Sequence, residues 1–265
     1  MDAKILNKKN FSITSAVLKN IAYLSMLIDH FSVVVFLSYI QWRSAQGLSV
    51  ETEREYYSIG RAVGRIAFVL FAFMAAEGFR YTHSKKKYLL RLGVFALLSE
   101  IPFDLAIYGK LYEPNGQNVY FTLFLGVLAL LFIKNLTGHP LLQCISTMLC
   151  CVTAAILSTD YMLMGVLLIV TFYLCRKSFI LQCLAGSTVI YFGIVMVYII
   201  RYWGEGIPIT VFFESGMSEL YGLAAFVLIY FYDGRKGRQL PKICYYLFYP
   251  LHLLALYGLS HMWFS

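Results

Sequence analysis

The sequence predicts an all-α fold, a polytopic integral membrane helix bundle of about nine transmembrane helices with its N-terminus in the cytoplasm. Three observations carry this. Hydrophobic residues make up 60% of the 265 and charged residues 14%, against about 45–50% and 25% in soluble domains. Apolar runs of roughly 17–23 residues recur along the whole chain, the length a helix needs to cross a bilayer. The runs are continuous and do not alternate, which excludes a barrel pattern. Helices are expected over about 14–40, 60–82, 87–108, 118–134, 140–158, 160–175, 178–200, 218–232 and 243–263. They leave no room for a soluble domain, so residues 1–265 read as one transmembrane unit. Segments 41–59 and 201–217 become its longest outer loops.

Charge orders these helices. Lys4, Lys8 and Lys9 precede the first. Arg80, Lys85, Lys86, Lys87 and Arg91 surround the second tip, and Lys134, Arg176 and Lys177 mark the next two. Arg235, Lys236, Arg238 and Lys242 lie before the last helix. With nine spans all fall on one side, which the positive-inside rule makes cytoplasmic. The net charge of +8 is then a topology signal in a cytoplasmic membrane, with the lipid bilayer as partner and no nucleic acid. The six cysteines lie in or beside apolar runs without Cys-x-x-Cys spacing, as small core residues and not metal ligands. Walker, Gly-x-Gly-x-x-Gly, Gly-x-Ser-x-Gly and His-Glu-x-x-His motifs are missing.

The chemistry-bearing residues lie inside the apolar runs. Asp29-His30 sits midway along the first helix, where ionisable groups are costly and normally face a polar cavity. Lys19 lies eleven residues earlier, nearly three turns, so it shares a face with His30 at about 16 Å. Asp29 points about 100° away from His30, so a carboxylate from another helix is the expected orienting partner. Glu100 and Asp104, one turn apart on the third helix, are candidates. Arg61 and Arg65, one turn apart on the second, are expected to pair with them. Glu77 and Arg80 should pair at i, i+3. His252 follows Pro250, whose kink suits a cavity wall. Asn118 and Asp160-Tyr161 open helices, where a capping role competes with lining an outer cavity. The Lys85–Lys87 run attracts anionic lipid or arriving phosphates.

Several stretches together resemble the TraX family of conjugal-transfer proteins, which acetylate the N-terminus of F-type pilin. They are Leu18-Lys19-Asn20-Ile21-Ala22 with Met26 to His30, Gly64 to Phe68, Ala76 to Tyr81, Tyr88 to Leu92, and Ser99 to Asp104. Phe121-Thr122-Leu123, Asp160-Tyr161 and Tyr249-Pro250-Leu251-His252 continue the resemblance. Val69 stands where the family prefers proline. The first helix is also similar to that of the type-3 transmembrane acyltransferases, in which a basic residue, ten intervening residues and a catalytic histidine recur. Lys19 and His30 reproduce that spacing, with lysine in place of the more usual arginine.

The resemblance implies a membrane-embedded acetyltransferase. Acetyl-CoA would enter from the cytoplasm, its phosphates held by Lys19, Arg80, Lys85, Lys86, Lys87 and Arg91. His30 would be the general base, with Asp29 and Glu100 beside it. Arg61, Arg65, Asp104, Asp160, Tyr161 and His252 would hold the acceptor, an amine or hydroxyl of a peptide, pilin or glycan. The competing readings are a transporter using the same groups as a proton relay, which lacks a visible internal repeat, and a non-catalytic assembly factor for a surface appendage.

Overall fold

The computed structural model describes residues 12–264; Lys4, Lys8 and Lys9 lie outside them. Nine helical rods run through the described residues: α1 Ser15–Ala45, α2 Glu51–Tyr81, α3 Lys85–Tyr108, α4 Val119–Asn135, α5 Pro140–Ile156, α6 Met162–Leu174, α7 Phe179–Tyr202, α8 Ile209–Phe231 and α9 Lys242–Phe264. Five of them (α1, α2, α7, α8 and α9) are long and apolar enough to cross a membrane. The chain is therefore a multi-pass helical membrane protein. Its outer faces carry the side chains a bilayer demands: Leu97, Leu141, Ile156 and Ile180 are exposed with no protein neighbour to cover them.

Two expected outer loops are shorter than the sequence suggested. α1 continues through Trp42 to Ala45, and α2 begins at Glu51, leaving only residues 46–50 between them. Glu51 and Glu53 sit in the first turn of α2, where carboxylates complement the helix dipole, and Arg43 closes the turn on Glu53 at 3.3 Å. Likewise α8 starts at Ile209 and reaches Phe231 through a 3-10 turn at Leu220–Leu223. Amphipathic ends were mistaken for loops because their polar faces break the apolar run.

α2 is the central post, packed against α1, α4, α6 and α8, while α9 wedges between α1 and α3. The closest pairing is α1 with α2. Gly60 and Gly64, one turn apart on α2, face Ser32 and Asp29 of α1, a small-xxx-small approach of the kind membrane helices use. Just past His30, residues Ser32–Phe36 widen into a π-helical turn, a feature that often marks functional sites.

Backbone pairings between loops organise the two ends of the bundle. At one end Ile13 bridges Tyr232, and the first amides of α1, at Ser15 and Ala16, donate to the carbonyls of Arg235 and Lys236. At the other, Gln117 bridges Thr159, and the Asp160 amide donates to the Gln117 carbonyl at 2.8 Å. The six cysteines are free thiols: Cys150 and Cys151 are buried as expected, whereas Cys144 and Cys244 are exposed.

Candidate functional site

His30 occupies the middle of α1 and pairs with a second histidine, not with a carboxylate. His30 Nδ1 lies 2.7 Å from Nε2 of His252, with the rings stacked at 4.9 Å. His252 Nδ1 lies 2.7 Å from the carbonyl oxygen of Phe248. A carbonyl only accepts, so Nδ1 of His252 carries the hydrogen and its Nε2 is the lone pair. Nδ1 of His30 must then donate to that lone pair, leaving Nε2 of His30 unprotonated. The chain Phe248–His252–His30 sets the tautomer of His30 as a carboxylate does in a hydrolase triad.

Pro250, inside α9, frees a carbonyl one turn before it. Proline has no N–H to offer the carbonyl four residues back, here that of Tyr246, and the Tyr120 hydroxyl donates to that oxygen at 3.2 Å instead. Tyr23 holds the neighbouring Tyr245 carbonyl at 2.9 Å. Tyr249, 2% exposed, lays its ring against both histidines, at 5.8 Å from His30 and 5.7 Å from His252.

His30 lines a polar cavity of about 190 Å³ at the Gln117–Thr159 end of the bundle. Asp29, Arg61, Arg65, Asp160 and Tyr161 line it too, as the sequence suggested, and Tyr108, Gln117 and Arg201 complete it. The ion pairs differ from expectation. Arg61 binds Asp29 at 2.6 Å and Arg65 binds Glu219 of α8 at 2.9 Å, so neither meets Glu100 or Asp104. Those carboxylates hold the loop before α4: Glu100 bonds the backbone and side chain of Asn118, and Asp104 accepts the Glu113 amide at 3.0 Å. Neither lines the cavity. Sequence reasoning assigned them wrongly as partners because helix phase shows which residues share a face, not which neighbour that face meets.

Asp160 and Tyr161 reach the cavity because their loop descends into the bundle. α6 has 13 residues, about 20 Å of helix against a hydrocarbon core near 30 Å. Irregular backbone at such depth is tolerated where it lines a cavity. Ser158, Tyr161 and Met162 adopt left-handed φ values of 48°, 60° and 39°, uncommon for non-glycine residues and typical of functional loops. Tyr161 is held by stacking on Phe68 at 3.7 Å, and the Thr122 hydroxyl binds the Asp160 carbonyl. Asp160 does not cap α6, whose N-cap position is Tyr161, whereas Asn118 caps α4 through the Tyr120 amide at 3.0 Å.

A second cavity, of about 480 Å³, opens at the Ile13–Tyr232 end. Tyr23, Tyr88, Tyr120, Tyr245, Tyr246 and Tyr249 line it, with Lys19 and Arg91 among its basic residues. Tyr249 lines this cavity while touching His30 of the other, so the two abut at its ring. Lys85, Lys86, Lys87 and Arg80 do not line either cavity. Arg80 pairs with Glu77 at 3.5 Å as expected, Lys85 donates to the Arg80 carbonyl at 3.2 Å at the end of α2, and Lys86 and Lys87 are exposed. The sequence reading did not single out Arg201 or Glu219, and it named Tyr249 only within the Tyr249-Pro250-Leu251-His252 stretch.

Comparison with known proteins agrees with this architecture in extent. The family described as TraX protein matches residues 14–260. A "Probable fimbrial assembly protein FimC, serogroup H1" of Dichelobacter nodosus is 27% identical, over 94% of this chain and 96% of that protein. No solved structure matches. With both cavities and the two histidines inside the matched span, the chain belongs to the TraX family.

Proposed function

We propose that the protein is a membrane-embedded acetyltransferase that moves an acetyl group from acetyl-CoA, bound in the tyrosine cavity, to an amine or hydroxyl presented in the charged cavity. The observation that carries this reading is the free Nε2 of His30, set by the His252 relay at the junction of the two cavities. All nine rods cross the membrane, with the Ile13–Tyr232 end in the cytoplasm, where Lys and Arg concentrate. Family membership supports an acceptor on a pilin or related peptide, and the fimbrial relative points the same way.

The chemistry follows from position. The acceptor nitrogen or oxygen attacks the thioester carbonyl as His30 Nε2 takes its proton. The C–S bond breaks, and the departing coenzyme A sulfur takes the proton back from the imidazolium. Asp160, whose carboxylate makes no ion pair among the described residues, accepts a hydrogen bond from the neutral amine or hydroxyl of the acceptor beside His30, and Arg61 and Arg65 keep Asp29 and Glu219 from competing for it. The Tyr249 ring stands at the boundary that the acetyl group crosses from one cavity to the other.

The direct test is release of coenzyme A thiol by purified protein in nanodiscs, given acetyl-CoA and a peptide with a free N-terminal amine. Thiol release matched by one acetyl group on the peptide is expected. Absence of both, in protein that is folded, would favour the non-catalytic assembly role. The relay is tested separately. His252→Phe should lower turnover by about 10²- to 10⁴-fold, the range spanned by loss of a positioned base and its orienting partner, with the KM for acetyl-CoA unchanged. His252→Asn, which restores an acceptor, should recover part of it. Equal turnover in His252→Phe and wild type would remove His252 from the mechanism.

A further inference from the structure

The mouth of the tyrosine cavity carries more positive charge than its neighbours neutralise. Lys19 and Arg91 line it from α1 and α3, and Lys236 and Lys242 from the 232–241 loop and the start of α9. Among the described residues none of the four forms an ion pair. The two carboxylates nearby are already engaged: Glu77 pairs with Arg80, and Asp233 binds Arg235 at 2.7 Å, whose hydrogen bonds hold the Asp233 carboxyl down at about 2. Lys19 and Lys242 line the same opening from different helices. Nε of Arg91 is buried without a hydrogen-bond partner.

The arrangement is built, not incidental. The Lys19 ammonium is held by Gln239 Oε1 at 2.9 Å and lies 4.8 Å from the centre of the Tyr245 ring. Gln239 is fixed in turn by the Lys236 carbonyl at 3.0 Å. The loop that carries Lys236 is tied to the first turn of α1 through its carbonyls. Behind the cations the cavity is walled by aromatic rings, and its volume suits a small-molecule ligand. Converging unpaired cations call for an anion, and the long aromatic chamber behind them calls for an uncharged arm attached to it.

We propose that Lys19, Arg91, Lys236 and Lys242 form a phosphate clamp, with the 232–241 loop as one jaw, for a phosphorylated headgroup whose chain runs into the tyrosine cavity. Building on the acetyl-transfer reading, the headgroup is that of coenzyme A, and Lys236 and Lys242 take the place of the Lys85–Lys87 run as its phosphate ligands. A phospholipid headgroup shares the chemistry and is distinguished by experiment.

Coenzyme A binding is measured by calorimetry on the full-length protein in phosphatidylcholine nanodiscs. Retention of phosphatidylglycerol is measured by native mass spectrometry. Both are repeated on the Lys236→Ala/Lys242→Ala double variant and on Lys236→Arg/Lys242→Arg. The clamp predicts coenzyme A binding that weakens at least tenfold in the alanine pair and returns in the arginine pair. Equal affinity in wild type and the alanine pair would overturn the clamp while leaving acetyl transfer standing. Failure of wild type to bind coenzyme A, together with phosphatidylglycerol retention lost in the alanine pair, would keep the clamp as a lipid site and sink the acetyl-transfer reading. Binding of neither ligand would overturn both. Lys236 and Lys242 are exposed, so the thermal midpoint should stay unchanged and separate lost binding from lost fold.

Discussion

Replacing His30 with Gln should reduce acetyl transfer by about 10²- to 10⁴-fold, the range a positioned general base supplies, while coenzyme A affinity changes less than twofold. The separation is expected because His30 lines the charged cavity and the basic mouth lies at the far end of the other one. Glutamine keeps a polar side chain that can donate to the His252 lone pair, so the fold is spared the roughly 1–3 kcal/mol of an unsatisfied buried acceptor. Thiol release and calorimetry on the same preparation make the measurement. Retained turnover would mean that the two histidines only pack α1 against α9.

The second large effect is expected at Gly64. A β-carbon there would run into the Cβ, Cγ and Oδ1 of Asp29, one residue from His30. Gly64→Val should therefore push α1 from α2, strain the Asp29–Arg61 pair, and shift Nε2 of His30 from the cavity. Overpacking of this kind costs about 1–3 kcal/mol, and misplacement of a base by an ångström costs about 100-fold in rate. The variant should unfold at lower temperature and lose most of its turnover. Gly258 on α9 has nothing within 4 Å of an added β-carbon, so Gly258→Ala serves as the control and should match wild type. A Gly64→Val protein with normal stability and rate would show that the close approach of α1 and α2 has no bearing on the site.

The sequence by itself determined what depends on local order. Hydropathy placed a rod at each of the nine positions, because a membrane span is a property of about twenty consecutive residues. The Lys19–His30 spacing and the Tyr249-Pro250-Leu251-His252 stretch marked the two helices that meet at the site. Most of the charged groups that line that cavity, Asp29, Arg61, Arg65 and Asp160, were also marked, since buried charge in an apolar run is conspicuous wherever it points.

Partnership was decided only in three dimensions. His30 and His252 are 222 residues apart, and nothing local says that an imidazole and not Glu100 completes the relay. Arg65 finds Glu219 on a helix whose start was mistaken for a loop, and Asp160 lines the cavity from the loop before the short α6. Helical periodicity gives each residue a face but no neighbour, and the neighbour depends on how glycines such as Gly64 let two helices approach. Packing therefore turned a set of conspicuous polar residues into a histidine pair with a defined tautomer, between two cavities of opposite character.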